Sequence, residues 1–509
     1  MPHRNIKAKC VIVMAMLIFA LASCSKKENV KPVITSKPTK STGTLPTTLS
    51  VAELLQSNMV VQRDKPFVIW GQAPAKLKVA VNVSWNTTTF NAVADTSGNW
   101  SVTIPATAVN ASPQTIMAKA TGFDAIILTN VVIGDVWVCS GQSNMVYPVD
   151  SISPFDGVLN YKAEIAAANY PLIRMLSVQD DAEAAPAVSL NFPVTWNICS
   201  PATVGTVSAV AYYFARKLNI SLNVPIGIIT SAVNGSYCQD WTNVAVLQSD
   251  PVLAAMYLPG SSTLYNGMIN PLINLSIKGF TWYQGENNQH DQPVSNYTRL
   301  NSALIQGWRT EFNQSALPFY YVQLTPFAED YNTTTPPGGD LTSDYLAMFR
   351  EAQANIRSTA TGTGMAITMD VGEPDNHHPR NKKPVGERLA LLALSYTYGQ
   401  NTQCVGPQYA GFSVNQYTAT VNFIAGTANG LSTIGNAPLN QYFFVAGTDH
   451  VFRQGLATIK GNAIVISAPE STPLPIQAVR YAFTNAPVTN LQNSSGLPAE
   501  PFRTDNWSN

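Results

Sequence analysis

The chain has 509 residues, 45% of them apolar and 12% charged, and its 30 Lys plus Arg balance 30 Asp plus Glu for a formal net charge of zero. That length predicts about two to four folded domains with sizeable cores. The low, balanced charge excludes a disordered chain and excludes electrostatic capture of nucleic acid or of an anionic membrane surface.

At the start, Arg4, Lys7 and Lys9 precede an apolar run over 11–21. This run is too short to remain as a spanning helix and reads as an export signal. It ends in LASC (21–24), which resembles a bacterial lipobox. The resemblance implies a signal peptide over 1–23, cut before Cys24, and membrane attachment through a lipid on Cys24. Ser25 stands where Asp would favour the inner membrane, so an exported outer-membrane lipoprotein is expected. Residues 24–48 carry that anchor and a tether rich in Lys, Ser, Thr and Pro. The six cysteines, at 10, 24, 139, 199, 238 and 404, include no C-x-x-C pair, which disfavours zinc. No metal or cofactor is expected. Residues 139, 199, 238 and 404 are open to one or two disulfides or to buried free thiols.

Residues 49–130 read as a small β domain. Strand-like runs at 58–62, 67–70, 79–83 and 100–104 are separated by turn signals at 64–66, 71–74 and 95–98. Over 131–400 the pattern changes to alternating strands and helices. Residues 131–139 form a buried-strand run ending in SGQSN (140–144). A helix is expected over 208–218, a strand over 224–229 ending near Asn234 and Gly235, and a strand over 277–283 ending in QGENN (284–288). A further helix over 345–356 precedes a strand at 364–369 ending at Asp370, and an amphipathic run follows at 385–394. This is an α/β pattern, a mainly parallel sheet with helices on both faces. Residues 401–509 return to short β-like runs at 418–423, 442–445 and 463–466, a second accessory β region.

The polar strand ends of a parallel sheet share one rim. That rim gathers Ser143, the turn at 234–235, the segment at 284–288, and Asp370 through His378. Ser143 is the candidate nucleophile, although Met145 departs from the G-x-S-x-G elbow. A serine needs a base, an orienting group for that base, and oxyanion donors. Asp375 three residues before His378 places a carboxylate and an imidazole in one loop.

Several segments together resemble the sialate O-acetylesterase family of SGNH-type hydrolases. They are GDVW (134–137) with SGQSNM (140–145), WYQGENN (282–288), and HPRNK (378–382) with VGERLA (385–390). NMVVQR (58–63), YNGMINP (265–271), AVRY (478–481) and GLPAEPFRTD (496–505) extend the likeness over almost the whole exported chain. The resemblance implies an SGNH-hydrolase-like sheet with accessory β-sandwich domains and the removal of acetyl groups from sugar hydroxyls. Ser143 would attack, His378 would act as base and then acid, and either Asp375 or a backbone carbonyl would orient it. The oxyanion and substrate would be held by Ser143, Asn234, Gly235, Gln284, Glu286 and Asn287, with Gln284 preferred over Asn287 for the side-chain amide. The partner is an O-acetylated carbohydrate, from sialic acid to a polysaccharide.

Three positions depart from the family pattern. VNGS (233–236) stands where Trp-Gly-Gly is usual, Gln239 replaces a common acid, and Asn376 replaces a common Asp. These departures leave a second expectation, a glycan-binding surface lipoprotein of the same fold with impaired turnover.

Overall fold

The computed structural model describes residues 45–314, 316–328 and 345–507. The expected signal peptide, Cys24 and almost all of the tether lie outside these residues.

Among the described residues seven strands come first: Ser50–Val51 (β1), Val60–Gln62 (β2), Phe67–Gln72 (β3), Lys78–Val83 (β4), Asn86–Val93 (β5), Asn99–Ile104 (β6) and Asn110–Lys119 (β7). β1, β3 and β6 make one sheet, while β4 joins β5 to β7. In β6 every second residue, Trp100, Val102 and Ile104, is buried, so alternation sets the face. β5 and β7 are mostly polar and exposed, and their weak alternation explains why the sequence does not announce them.

The next strands are Ile126–Gly141 (β8), Tyr170–Ser177 (β9), Asn197–Cys199 (β10), Ile226–Ala232 (β11), Gly279–Tyr283 (β12), Phe319–Val322 (β13) and Thr363–Ala366 (β14). Their order is β10-β9-β11-β8-β12-β13-β14. β10 runs antiparallel and the remaining pairs are parallel. The helices are Ser143–Val146 (α1), Tyr161–Ala166 (α2), Ala209–Leu222 (α3), Val244–Ser249 (α4), Pro251–Tyr257 (α5), Asn296–Glu311 (α6), Tyr345–Thr359 (α7) and Lys382–Leu392 (α8). The helix expected over 208–218 is α3, with Ser208 as its N-cap accepting from the Ala211 N–H, and Asn223 closing it at φ 54°.

β8 is the spine. Its first half pairs antiparallel with β7 and parallel with β2. Its second half lies between β11 and β12. The change from β domain to α/β domain expected at 130/131 therefore falls inside one continuous strand of 16 residues. Asp135 on this strand is fully buried and accepts from Gln62 Nε2 (3.0 Å), Arg63 Nε (3.1 Å) and Nη2 (2.9 Å), and Tyr398 Oη (3.0 Å). One carboxylate so joins the first β segment, the serine strand and the end of the α/β region.

Aromatic packing fixes the sheet from one side: the Trp282 ring lies 6.2 Å from Trp241 and 5.7 Å from Trp308, centroid to centroid, all three buried. Cys139, Cys199, Cys238 and Cys404 are buried free thiols. Beyond 400 the chain forms two four-stranded sheets and a two-stranded one. The side chain of Arg350, on α7, donates to the carbonyls of Leu324 (2.9 Å) and Thr484 (2.9 Å), tying this C-terminal region to the α/β part.

Candidate active site

β8 stops because the backbone must turn sharply. Gly141 has φ 142°, and a Cβ there would lie 2.0 Å from the Tyr283 carbonyl oxygen, so only glycine fits between β8 and the end of β12. Gln142 then caps α1 and Ser143 opens it. Ser143 is 6% exposed, and its Oγ lies 2.7 Å from His378 Nε2. No hydrogen bond from the Ser143 backbone N–H to another described residue is present.

His378 comes from a loop shaped by its own side chains. Glu373 accepts from the Arg380 N–H (2.8 Å) through Oε1 and from Asn376 Nδ2 (2.8 Å) through Oε2. Asn376 Oδ1 accepts from the His378 N–H at 2.9 Å. Asn376 thus braces the loop at the position where an acid was expected. The imidazole meets Phe155 edge-on at 5.3 Å and His377 at 4.0 Å. Asp375 is exposed on the turn, and among the described residues no hydrogen bond joins it to His378. Asp370, at the start of the segment, is held by both terminal nitrogens of Arg388 (2.7 and 2.6 Å), which makes it a buttress for α8.

The second rim segment follows β11. Asn234 and Gly235 are exposed. Gly235 carries the positive φ of the turn, 67°, and Asn234 does not, so the replacement of glycine by Asn234 needs no left-handed backbone. Ser236 locks the turn from below: its Oγ donates to the Val233 carbonyl (2.9 Å) and accepts from Trp241 Nε1 (2.9 Å).

The third segment corrects one expectation. Gln284 is fully buried, and its NH2 already faces Asn288 Oδ1 (2.7 Å), Gln142 Oε1 (3.0 Å) and the Ser236 carbonyl (3.2 Å). Its Oε1 accepts from Tyr297 Oη at 2.9 Å. Two N–H hydrogens shared among three internal acceptors leave none for an oxyanion, so Gln284 is a structural node. Asn287, half-buried on the rim, donates from Nδ2 to the Gly235 carbonyl and keeps a second N–H. Gln239 accepts from Asn288 Nδ2 (2.9 Å), so it braces this segment.

Glu286 does not face outward as a substrate ligand would. Its Oε1 accepts from Asn144 Nδ2, and its Oε2 is buried with no hydrogen-bond partner among the described residues. Asn144 Nδ2 also donates to the His377 carbonyl (2.9 Å), and Asn144 Oδ1 accepts from Lys382 Nζ. Lys382 is buried between the rings of Tyr147 (4.7 Å) and Tyr283 (5.6 Å). Burial lowers its pKa to about 7, against the raising influence of Glu286 and Glu373. Burial likewise raises Glu286, opposed by the Asn144 hydrogen bond. Asn144 and Lys382 were visible only as letters within SGQSNM and HPRNK; nothing in their spacing shows that they meet.

A family model described as carbohydrate esterase, sialic acid-specific acetylesterase, matches residues 133–395. The sialate O-acetylesterase of Homo sapiens is 28% identical over 504 residues, covering 89% of this chain and 91% of the human protein. That of Rattus norvegicus is 27% identical, covering 89% and 93%. The crystal structure of a carbohydrate acetylesterase from Xanthomonas citri aligns with a TM-score of 0.80 at 32% identity, covering 90% of this chain and 100% of that one. In fold, in the order of its segments and over nearly its full length, this chain belongs to the sialic acid-specific acetylesterase family of carbohydrate esterases.

Proposed function

We propose that the protein is a serine-dependent carbohydrate O-acetylesterase in which Ser143 and His378 carry the chemistry. The observation that supports this most directly is the 2.7 Å contact between Ser143 Oγ and His378 Nε2 at the rim of the parallel sheet. That distance suits proton transfer from the hydroxyl to the imidazole as Oγ attacks the acetyl carbonyl. The tetrahedral oxyanion is held by the backbone N–H groups of Ser143 and Gly235 and by the Asn287 amide. Collapse of this intermediate expels the sugar oxygen, which takes the proton from His378. Water, deprotonated by the same imidazole, then hydrolyses the acetyl-enzyme and returns Ser143. Asn234 stands beside this opening and contacts the acceptor sugar. Asp375 takes no part in the steps as written, because its carboxylate does not reach His378.

Acetate release from acetylated sialosides and from acetylated polysaccharides tests the reading. Wild type releases acetate, and Ser143→Ala and His378→Ala each lose about 10⁴-fold or more of kcat. Glycan binding without release by well-folded wild type overturns it and marks a binding protein. Lipidation at Cys24 and an outer-membrane address complete the proposal, supported by the LASC segment. Fatty-acid labelling of the wild type and not of Cys24→Ala checks the anchor.

A further inference from the structure

The Asn144 side chain ties the Ser143 turn to two other rim segments, those of Glu286 and His378. Its own backbone follows Ser143. Its NH2 bonds Glu286 of the β12 segment and the carbonyl of His377, the residue before His378. A carboxamide can turn over and exchange its oxygen for its nitrogen. Turned over, Asn144 would aim its oxygen at the Glu286 carboxylate and the His377 carbonyl, and both bonds would become repulsions. Lys382 Nζ, donating to Asn144 Oδ1 from the first residue of α8, forbids that inversion. An ammonium is costly to bury, yet Lys382 is 1% exposed and makes no ion pair within 4 Å among the described residues. Such an expensive placement needs a return other than stability.

We propose that Lys382 is a positioning residue of the esterase: by fixing the Asn144 amide it holds the His378 loop against the Ser143 turn at reacting distance. The proposal rests on the Ser143–His378 reading above. The groups facing Lys382 are Asn144 from α1, Glu286 from the β12 segment, Glu373 from the His378 loop, and the rings of Tyr147 and Tyr283. Both the ammonium and the neutral amine carry an N–H for Asn144, so the brace acts on either side of neutral pH.

Steady-state kinetics on an acetylated sugar, with thermal unfolding of the same samples, tests this. Lys382→Met, similar in shape and without a donor, lowers kcat by about 10- to 100-fold with KM within twofold, because the reacting groups drift and the sugar site does not. Asn144→Ala shows a similar loss. The double variant is no worse than the poorer single, since Lys382 acts through Asn144. Folded Lys382→Met with full kcat overturns the proposal, and so do losses that multiply in the double variant. If Lys382→Met does not fold, Asn144→Asp decides: it keeps the acceptor for Lys382 and removes both donations, so full kcat in that variant overturns the proposal. Ser143→Ala in the same assay separates the two readings. Retained activity there overturns the nucleophile and this brace together, whereas its loss beside an unimpaired Lys382→Met overturns the brace alone.

Discussion

Ser143 Oγ and His378 Nε2 lie 2.7 Å apart although 235 positions separate them in the chain. The parallel sheet makes that possible: Ser143 follows the C-terminal end of β8, and His378 follows β14 and reaches back over two intervening strand ends. Asp375, only three residues from His378, sits exposed on the outer side of the same turn. Asp375→Asn is therefore expected to retain kcat near the wild-type value, far from the roughly 10⁴-fold loss seen when a triad carboxylate is neutralised. Initial rates of acetate release at saturating substrate check this.

Gln284 and Asn287 should separate cleanly. Gln284→Ala leaves the buried Asn288 and Gln142 oxygens and Tyr297 Oη short of partners, so it destabilises the fold by about 2–4 kcal/mol. Asn287→Ala lies on the rim; it should lower kcat by about 10²–10³-fold with little change in the melting temperature. Thermal unfolding and steady-state kinetics on both variants distinguish the roles.

Lys382 gives stability a particular pH dependence. Its folded pKa is near 7 and its ordinary value is 10.5. Between these, the unfolded chain binds the extra proton, so this group makes stability rise with pH across about 7 to 10.5. Below 7 both states are protonated and the folded state bears the whole cost of burying the charge. Lys382→Met removes that cost, so its gain in melting temperature over wild type should be larger at pH 6 than at pH 10. Paired melts of the two proteins across that range check the sign.

Asp135 offers a stability prediction away from the chemistry. Asp135→Ala strands Arg63 beside a buried cavity and removes the bond from Tyr398, at an expected cost of about 3–5 kcal/mol. Denaturant unfolding should record that loss, while kcat per folded molecule stays unchanged.

Much of this protein is written locally. The apolar run before SGQSN, the helix over 208–218 and the strand over 277–283 each follow from local pattern, and the structure has β8, α3 and β12 there. The rim itself was legible because every parallel strand must end on it. Residues 319–322 and 296–311 escaped: β13 is a short run wholly buried, and α6 mixes Asn, Thr and Ser among its apolar positions.

What the sequence by itself determined is therefore the fold class and the family, because short-range patterns and ordered segments carry them; it also singled out Ser143 and His378, whose side chains the fold brings to 2.7 Å. Tertiary structure alone decided which polar side chains are free to meet a substrate. Gln284 and Asn287 are three residues apart in one motif, yet one is saturated by buried acceptors and the other keeps an N–H at the opening. Lys382 looks like a surface charge ahead of a helix and is instead enclosed, holding Asn144. A hydrogen bond depends on distances between atoms from remote segments, and those distances exist only once the sheet has brought the segments together.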